Sequence, residues 1–168
     1  MSLKLGNTDK ERLRDIGLFG GLSDEMLEHL ATSLEVMTLE PGATVFKEGD
    51  SGREMFVLLD GEIEVLKHSK SSRETRVALL GPSDWFGEMS ILDVMPRSAT
   101  VRTLSPARVL RITAHDLDGL YRRDLRSYSL VVLNIAREMS RRLRVVDGLL
   151  AEFVANVVDE YTRSHRTA

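Results

Sequence analysis

Apolar residues change their spacing twice along the chain, and the changes divide it into three segments. Up to about residue 34 the spacing is helical, with Met26, Leu27, Leu30 and Leu34 on one stripe. Thr8 and Glu11 have the separation of a capping box, in which each side chain satisfies a free amide at the other's position. Gly17, Gly20 and Gly21 interrupt the helix. Ser23 then caps a second one, whose Asp24 and Glu25 suit the positive end of its dipole. From 35 to 113 the pattern shortens to runs of Val, Ile, Leu, Thr and Phe. Pro41-Gly42, Glu48-Gly49-Asp50, Ser51-Gly52, Asp60-Gly61 and Gly81-Pro82 punctuate these runs. Asp60-Gly61 reads as a type I′ hairpin turn, and Glu62 to Lys67 after it largely alternates polar with apolar. The segment predicts a small antiparallel barrel or jelly roll.

Helical spacing returns near Thr113, which caps a short helix through Leu117 and Leu120. A long helix is expected from about Ser127 toward Ser164. Its apolar seam runs through Tyr128, Val132, Ile135, Met139, Leu143, Val146, Leu150, Phe153, Val157 and Tyr161. About 37 helical residues extend roughly 55 Å, more than a small barrel can cover. The expectation is therefore a homodimer through this helix. Gly148 costs about 1 kcal/mol in a helix interior and marks a candidate hinge after Asp147. The turn expected near His115 to Gly119 is a second candidate hinge.

Composition narrows the chemistry. The 168 residues are 42% hydrophobic and 29% charged, with net charge -3 and an isoelectric point near 5.8. That balance suits a packed core and gives no whole-chain attraction for nucleic acid or an anionic membrane. The absence of cysteine excludes disulfides, thiolate nucleophiles and cysteine-bound metals. No apolar run approaches the roughly 20 residues that span a bilayer, and the polar start MSLKLGNTDKERLRD is unlike a secretory signal. A cytoplasmic protein is the simplest reading, with Met1 to Leu3 open to being an expression scar. His29, His68, His115 and His165 lack metal-ligand spacing, which disfavours a metal-dependent cupin-type enzyme, and no nucleophile–base pair stands out. The expectation is no enzyme, no metal and no membrane. Arg137, Arg141, Arg142 and Arg144 read as a solvated helix face.

The stretch 86–101, FGEMSILDVMPRSATV, differs from its surroundings. Glu88 to Leu92 looks like one helical turn inside a β region, with a strand following from Arg97 to Thr103. Gly87 lets the backbone approach a ligand, and free amides of the short helix can face an anion. Arg97 supplies a permanently charged fork for phosphate oxygens, while the Glu88 carboxylate is an acceptor for sugar hydroxyls. Trp85 is expected to pack rather than to stack on a base.

FGEMSILDVMPRSATV resembles, without gaps, the phosphate-binding cassette of cyclic-nucleotide-binding domains. These domains occur in kinase regulatory subunits, cyclic-nucleotide-gated channels and catabolite-activator-type regulators. The resemblance extends to the upstream glycine turns and the flanking helices, hence to nearly the whole chain. It implies a mainly β fold with flanking helices: an antiparallel double-stranded β-roll (jelly roll), N-terminal helices and a long C-terminal helix. Residues 1–34 form the helical segment, 35–113 the roll and 114–168 the C-terminal helices. It further implies that Glu88 binds the ribose 2′-hydroxyl and Arg97 the cyclic phosphate. Phe86, Gly87, Met89, Ser90, Ser98 and Ala99 complete the ligand-binding set, and Val57 or Val77 lines the base. Ser83 stands where that family often has glycine.

Met139-Ser140-Arg141-Arg142-Leu143-Arg144-Val145 resembles the dimer helix of catabolite-activator proteins, where polar residues just after the Arg-Arg pair touch the purine. The matching positions here are Val146 and Asp147. Because Val146 neither donates nor accepts, Arg142 and Asp147 are the candidate base contacts. The chain ends near where that family's helix-turn-helix domain would begin, so no nucleic acid partner is expected of it. The resemblance thus implies a non-catalytic sensor of cAMP or cGMP in which ligand shifts the C-terminal helix for an unknown effector. The alternatives are a ligand-free β-roll for oligomerisation and a fragment of a larger transcription regulator.

Overall fold

A computed structural model describes residues 7–68 and 73–166, with side chains at 11–68 and 73–158. Helix α1 spans Asn7–Asp15 and ends before a single 3-10 turn, Gly17–Phe19. Helix α2 spans Asp24–Ser33, and the Ser23 hydroxyl accepts the Met26 N–H at 3.3 Å, as its sequence position leads one to expect. The Thr8–Glu11 pairing lies outside the described side chains, as do Tyr161, Ser164 and His165; Met1 to Leu3 lie outside the described residues.

Among the described residues eight strands follow: β1 Glu35–Leu39, β2 Thr44–Phe46, β3 Glu54–Asp60, β4 Ile63–His68, β5 Glu74–Leu80, β6 Trp85–Phe86, β7 Thr100–Thr103 and β8 Ala107–Thr113. They form two antiparallel four-stranded sheets, ordered β1-β8-β3-β6 and β2-β7-β4-β5. This is the expected β-roll with its flanking helices. Between the sheets lies an apolar core of Phe56, Leu58, Ile63, Phe86, Val101, Ala107 and Val109. The Phe56 and Phe86 rings stack there with centroids 5.4 Å apart.

Strand β3 reads as a continuous apolar run because both of its faces are covered. Phe56 and Leu58 point into the roll. Met55, Val57 and Leu59 are equally buried on the opposite face, so Val57 does not line the roll interior. On that outer side Phe19, Leu30, Leu34, Leu117, Leu120 and Val131 converge with Ile112 of β8 around a small apolar cavity.

Asp60-Gly61 is not a hairpin. Strands β3 and β4 join different sheets, so the chain turns a corner between them, and only Gly61 of the pair has a positive φ, at 96°. Glycine is required there twice over, since a Cβ would fall 2.5 Å from the Pro106 carbonyl oxygen. Asp60 is held by Arg12 at 2.8 Å and Arg108 at 3.1 Å, and Arg12 also donates to the Leu59 carbonyl at 2.6 Å. The true hairpin is β4–β5.

Helix α4 spans Ala114–Arg123 behind a complete capping box of Thr113 and Asp116. His115 to Gly119 are therefore helical and not a turn. Helix α5 runs Leu125–Arg166 and passes Gly148 without a break. Contacts divide the chain into compact units at 1–131 and 132–168. In the second unit Leu143, Val146, Leu150, Phe153 and Val157 are all exposed. Among the described residues, no helix is long and apolar enough to cross a membrane, and no group of His, Asp or Glu is placed to hold a metal.

Two expectations follow. Gly81 to Asp84 closes a turn, with the Asp84 N–H donating to Gly81 O at 3.1 Å, and places Ser83 at φ 77°. That is the third position of a type II turn, which favours glycine. Ser83→Gly raises stability by about 1 kcal/mol, the scale of a left-handed L-residue, read from denaturant melts. The Asp60 carboxyl is held below its ordinary range, first by the Arg12 hydrogen bonds and further by the charges of Arg12 and Arg108. Its contribution is present above the unfolded carboxyl value and lost as pH falls through the lowered folded one. Asp60→Asn therefore destabilises at neutral pH, by less than about 1 kcal/mol because the pair is half exposed. Melts of both proteins in acid converge.

Candidate functional site

The cassette begins where β6 ends. Gly87, at φ 82°, turns the chain into the one-turn helix α3, Met89–Leu92, with Glu88 as its helical N-cap. The expected helical turn is there. The expected strand from Arg97 is shorter, starting only at Thr100. Arg97 to Ala99 instead form a connection pinned to the 47–50 loop. The Arg97 N–H donates to Asp50 O at 2.8 Å, and the Gly49 N–H donates to Arg97 O at 2.9 Å.

This backbone anchoring turns the Arg97 side chain inward, where it is 2% exposed. Nη1 donates to the Glu54 carbonyl at 2.7 Å, the Gly87 carbonyl at 3.1 Å and Ser90 Oγ at 2.7 Å. Ser90 in turn donates to Gly87 O at 3.0 Å. The guanidinium carbon lies 4.0 Å over the Phe46 ring. Nη2 is 3.5 Å from the Glu54 carboxylate, and Nε is buried with no hydrogen-bond partner. Burial makes the guanidinium easier to deprotonate than usual, while the charges of Glu54 and Asp50 oppose that.

Two glycines make the space. A Cβ on Gly52 would lie 2.4 to 2.5 Å from the guanidinium atoms, and one on Gly87 would lie 2.8 Å from Nη1. The sequence marks Gly52 only as a turn residue, because its occupant comes from Arg97, far along the chain. The second group missed by sequence reading is an ionic one. On the inner face of β3, Leu58 and Phe56 give way to Glu54. On β8, Ala107 and Val109 give way to Arg111, and on β1, Leu39 and Met37 give way to Glu35. Register sets Arg111 opposite both Phe56 and Glu35, so the three charges share one end of the roll interior. The Arg111 guanidinium donates to Glu54 through Nε at 2.9 Å and to Glu35 at 3.1 Å. These bonds, Glu54 first, raise its pKa. The i, i+2 pattern in each strand was the available signal.

The other cassette residues divide by exposure. Glu88 and Ala99 are buried, and Phe86 has its ring in the apolar core. Met89 and Ser98 are exposed and touch, with Ser98 Oγ 3.6 Å from Met89 Sδ. Trp85 packs, buried, beside Gly17. Val77 is exposed on β5. The structure thus brings Gly87, Ser90 and Arg97 together and adds Phe46, Gly52 and Glu54. Arg142 and Asp147 belong to the unit 132–168. There Arg142 bonds Glu138 one turn earlier, at 3.2 Å, and Asp147 is exposed.

Arg97 thus keeps one buried donor unused, and the buried Glu88 follows the Gly87 turn whose carbonyl takes up Arg97 Nη1. The sequence profile of the family described as "Cyclic nucleotide-binding domain" matches residues 36–124, more than half of the chain. The chain belongs to that family. Over 131 residues it is 35% identical to the cyclic AMP receptor protein of Thermus thermophilus, covering 77% of this chain and 58% of that protein. Over 144 residues it is 29% identical to the CRP-like cAMP-activated global transcriptional regulator of Mycobacterium tuberculosis, covering 86% of this chain and 62% of that one. The chain thus spans about three-fifths of the length of these curated relatives. A solved cyclic nucleotide-binding domain from Methylobacillus flagellatus shares the fold, with a TM-score of 0.79, 24% identity and coverage of 86% of this chain and 83% of the other.

Gly52→Ala tests the cradle. Its Cβ must displace the guanidinium, so under the proposal that Arg97 holds the phosphate, cyclic-nucleotide affinity falls at least about tenfold in calorimetric titration. Far-ultraviolet circular dichroism stays unchanged, because position 52 needs no positive φ.

Proposed function

We propose that this chain is a non-catalytic sensor of cAMP or cGMP, with Arg97 on the cyclic phosphate and Glu88 on the ribose hydroxyl. The observation that carries the reading is the Arg97 guanidinium, almost wholly buried and with its Nε unpartnered. A phosphate oxygen supplies the acceptor that Nε lacks, and a closer counter-charge than the Glu54 carboxylate 3.5 Å from Nη2. The relatives whose names specify cAMP favour it over cGMP. Gly87, Met89, Ser90, Ser98 and Ala99 border the same ligand, with Phe86 contributing only through its backbone. Arg142 and Asp147 are the base contacts in this reading.

The exposed apolar residues of α5, from Leu143 to Val157, support a homodimer through that helix. Ligand would act by favouring one placement of the helix, a population shift read by a downstream effector in the cytoplasm. No nucleic acid or membrane is part of this reading. One observation favours the alternative of a ligand-free β-roll: Arg97 already has three acceptors on Nη1 and a carboxylate at Nη2.

Titration calorimetry with each cyclic nucleotide separates the two. A sensor binds at one site per chain, and Arg97→Ala then weakens binding by roughly 1.5–3 kcal/mol, at least tenfold. No heat from either nucleotide, or equal affinity in the variant, would falsify the assignment.

A further inference from the structure

We infer that Glu54 is an affinity-setting residue of the phosphate site, competing with the ligand for Arg97, and that Arg111 restrains this competition. The inference rests on the reading of Arg97 as the phosphate ligand and adds residues outside the cassette to it. Glu54 occupies the inner face of the roll, where the apolar core ends and charge begins. Its carboxylate serves two cations at once. Oε1 lies 3.5 Å from Arg97 Nη2, and Oε2 takes the Arg111 Nε at 2.9 Å.

The division is unequal for a geometric reason. Arg111 stands on β8 in register with Phe56, two residues from Glu54, so its fork reaches the carboxylate directly. Arg97 is fixed by its backbone bonds and by Nη1, which leaves Nη2 at the edge of ion-pair range. Arg111 is itself shared, bonding Glu35 at 3.1 Å. The order Arg97–Glu54–Arg111–Glu35 therefore alternates in sign across β3, β8 and β1.

An arriving phosphate meets one cation already facing a carboxylate. It gains the Arg97 charge but approaches the Glu54 charge as well. Removing the Glu54 charge leaves Arg97 with only the Asp50 charge in the free protein and without the Glu54 competitor in the complex, and both changes favour the ligand. Removing Arg111 does the reverse. Glu54 then loses its stronger partner and turns to Arg97, which opposes the ligand. The two neighbours thus have opposite signs, whereas residues that merely supported the fold would weaken binding alike.

The experiment compares nucleotide dissociation constants of the full chain with those of Glu54→Gln and Arg111→Met, by titration with cAMP and cGMP. Glu54→Gln is expected to tighten binding about fivefold and Arg111→Met to weaken it by a similar factor, the scale of a partly screened ion pair. Weaker or unchanged binding in Glu54→Gln, or unchanged or tighter binding in Arg111→Met, overturns the inference. Each sign decides alone, so the loss of one variant to misfolding leaves the other as the test. A wild-type chain that binds neither nucleotide fails the phosphate reading itself. A wild-type chain that binds, with both variants unmoved, fails only the role of Glu54.

Discussion

A guanidinium withdrawn from water must be given back its hydrogen bonds and a counter-charge, or the fold that buries it is penalised by several kcal/mol. Arg97 is in that position, and much of the roll is arranged around it. Glycines at 52 and 87 leave room, Phe46 supplies a ring face, and Ser90 and two carbonyls take up Nη1. The 47–50 loop fixes the backbone on either side. This environment leaves open the Nε donor and only a distant carboxylate at Nη2, which is what the proposed ligand would complete.

The rest of the architecture determines where that requirement is met. Apolar residues fill the space between the sheets until β1, β3 and β8 change to charged side chains at the same end. A dry core thus adjoins a polar mouth with no intervening layer. In such surroundings charges act on one another more strongly than at an open surface. In the proposed recognition the neighbours of Arg97 therefore take part as much as the arginine does.

The parts legible in the sequence were those whose causes are local. The one-turn helix, the Ser23 and Thr113 caps and the long α5 all follow from residues within a few positions of one another. Asp60-Gly61 misled because turn chemistry says where a chain bends and not which sheet the next strand joins. The demand for glycine there comes from Pro106, across the fold. Gly52 and Glu54 were overlooked for the same reason, as the partner of each is Arg97. Gly148 misled differently. A single unfavourable residue does not interrupt a helix of 42 residues, whose cooperativity outweighs its propensity.

The outer face of β3 also limits how this module can be exchanged between proteins. Met55, Val57 and Leu59 are buried away from the roll interior, and Arg12 of α1 grips the Leu59 carbonyl and the Asp60 carboxylate. A roll excised at its first and last strands would present that apolar face to water. Recombination that conserves the fold must therefore carry the helices on both sides of the strands, up to the boundary at Val131. The cradle around Arg97 is thus heritable only together with the helices that keep its scaffold out of water.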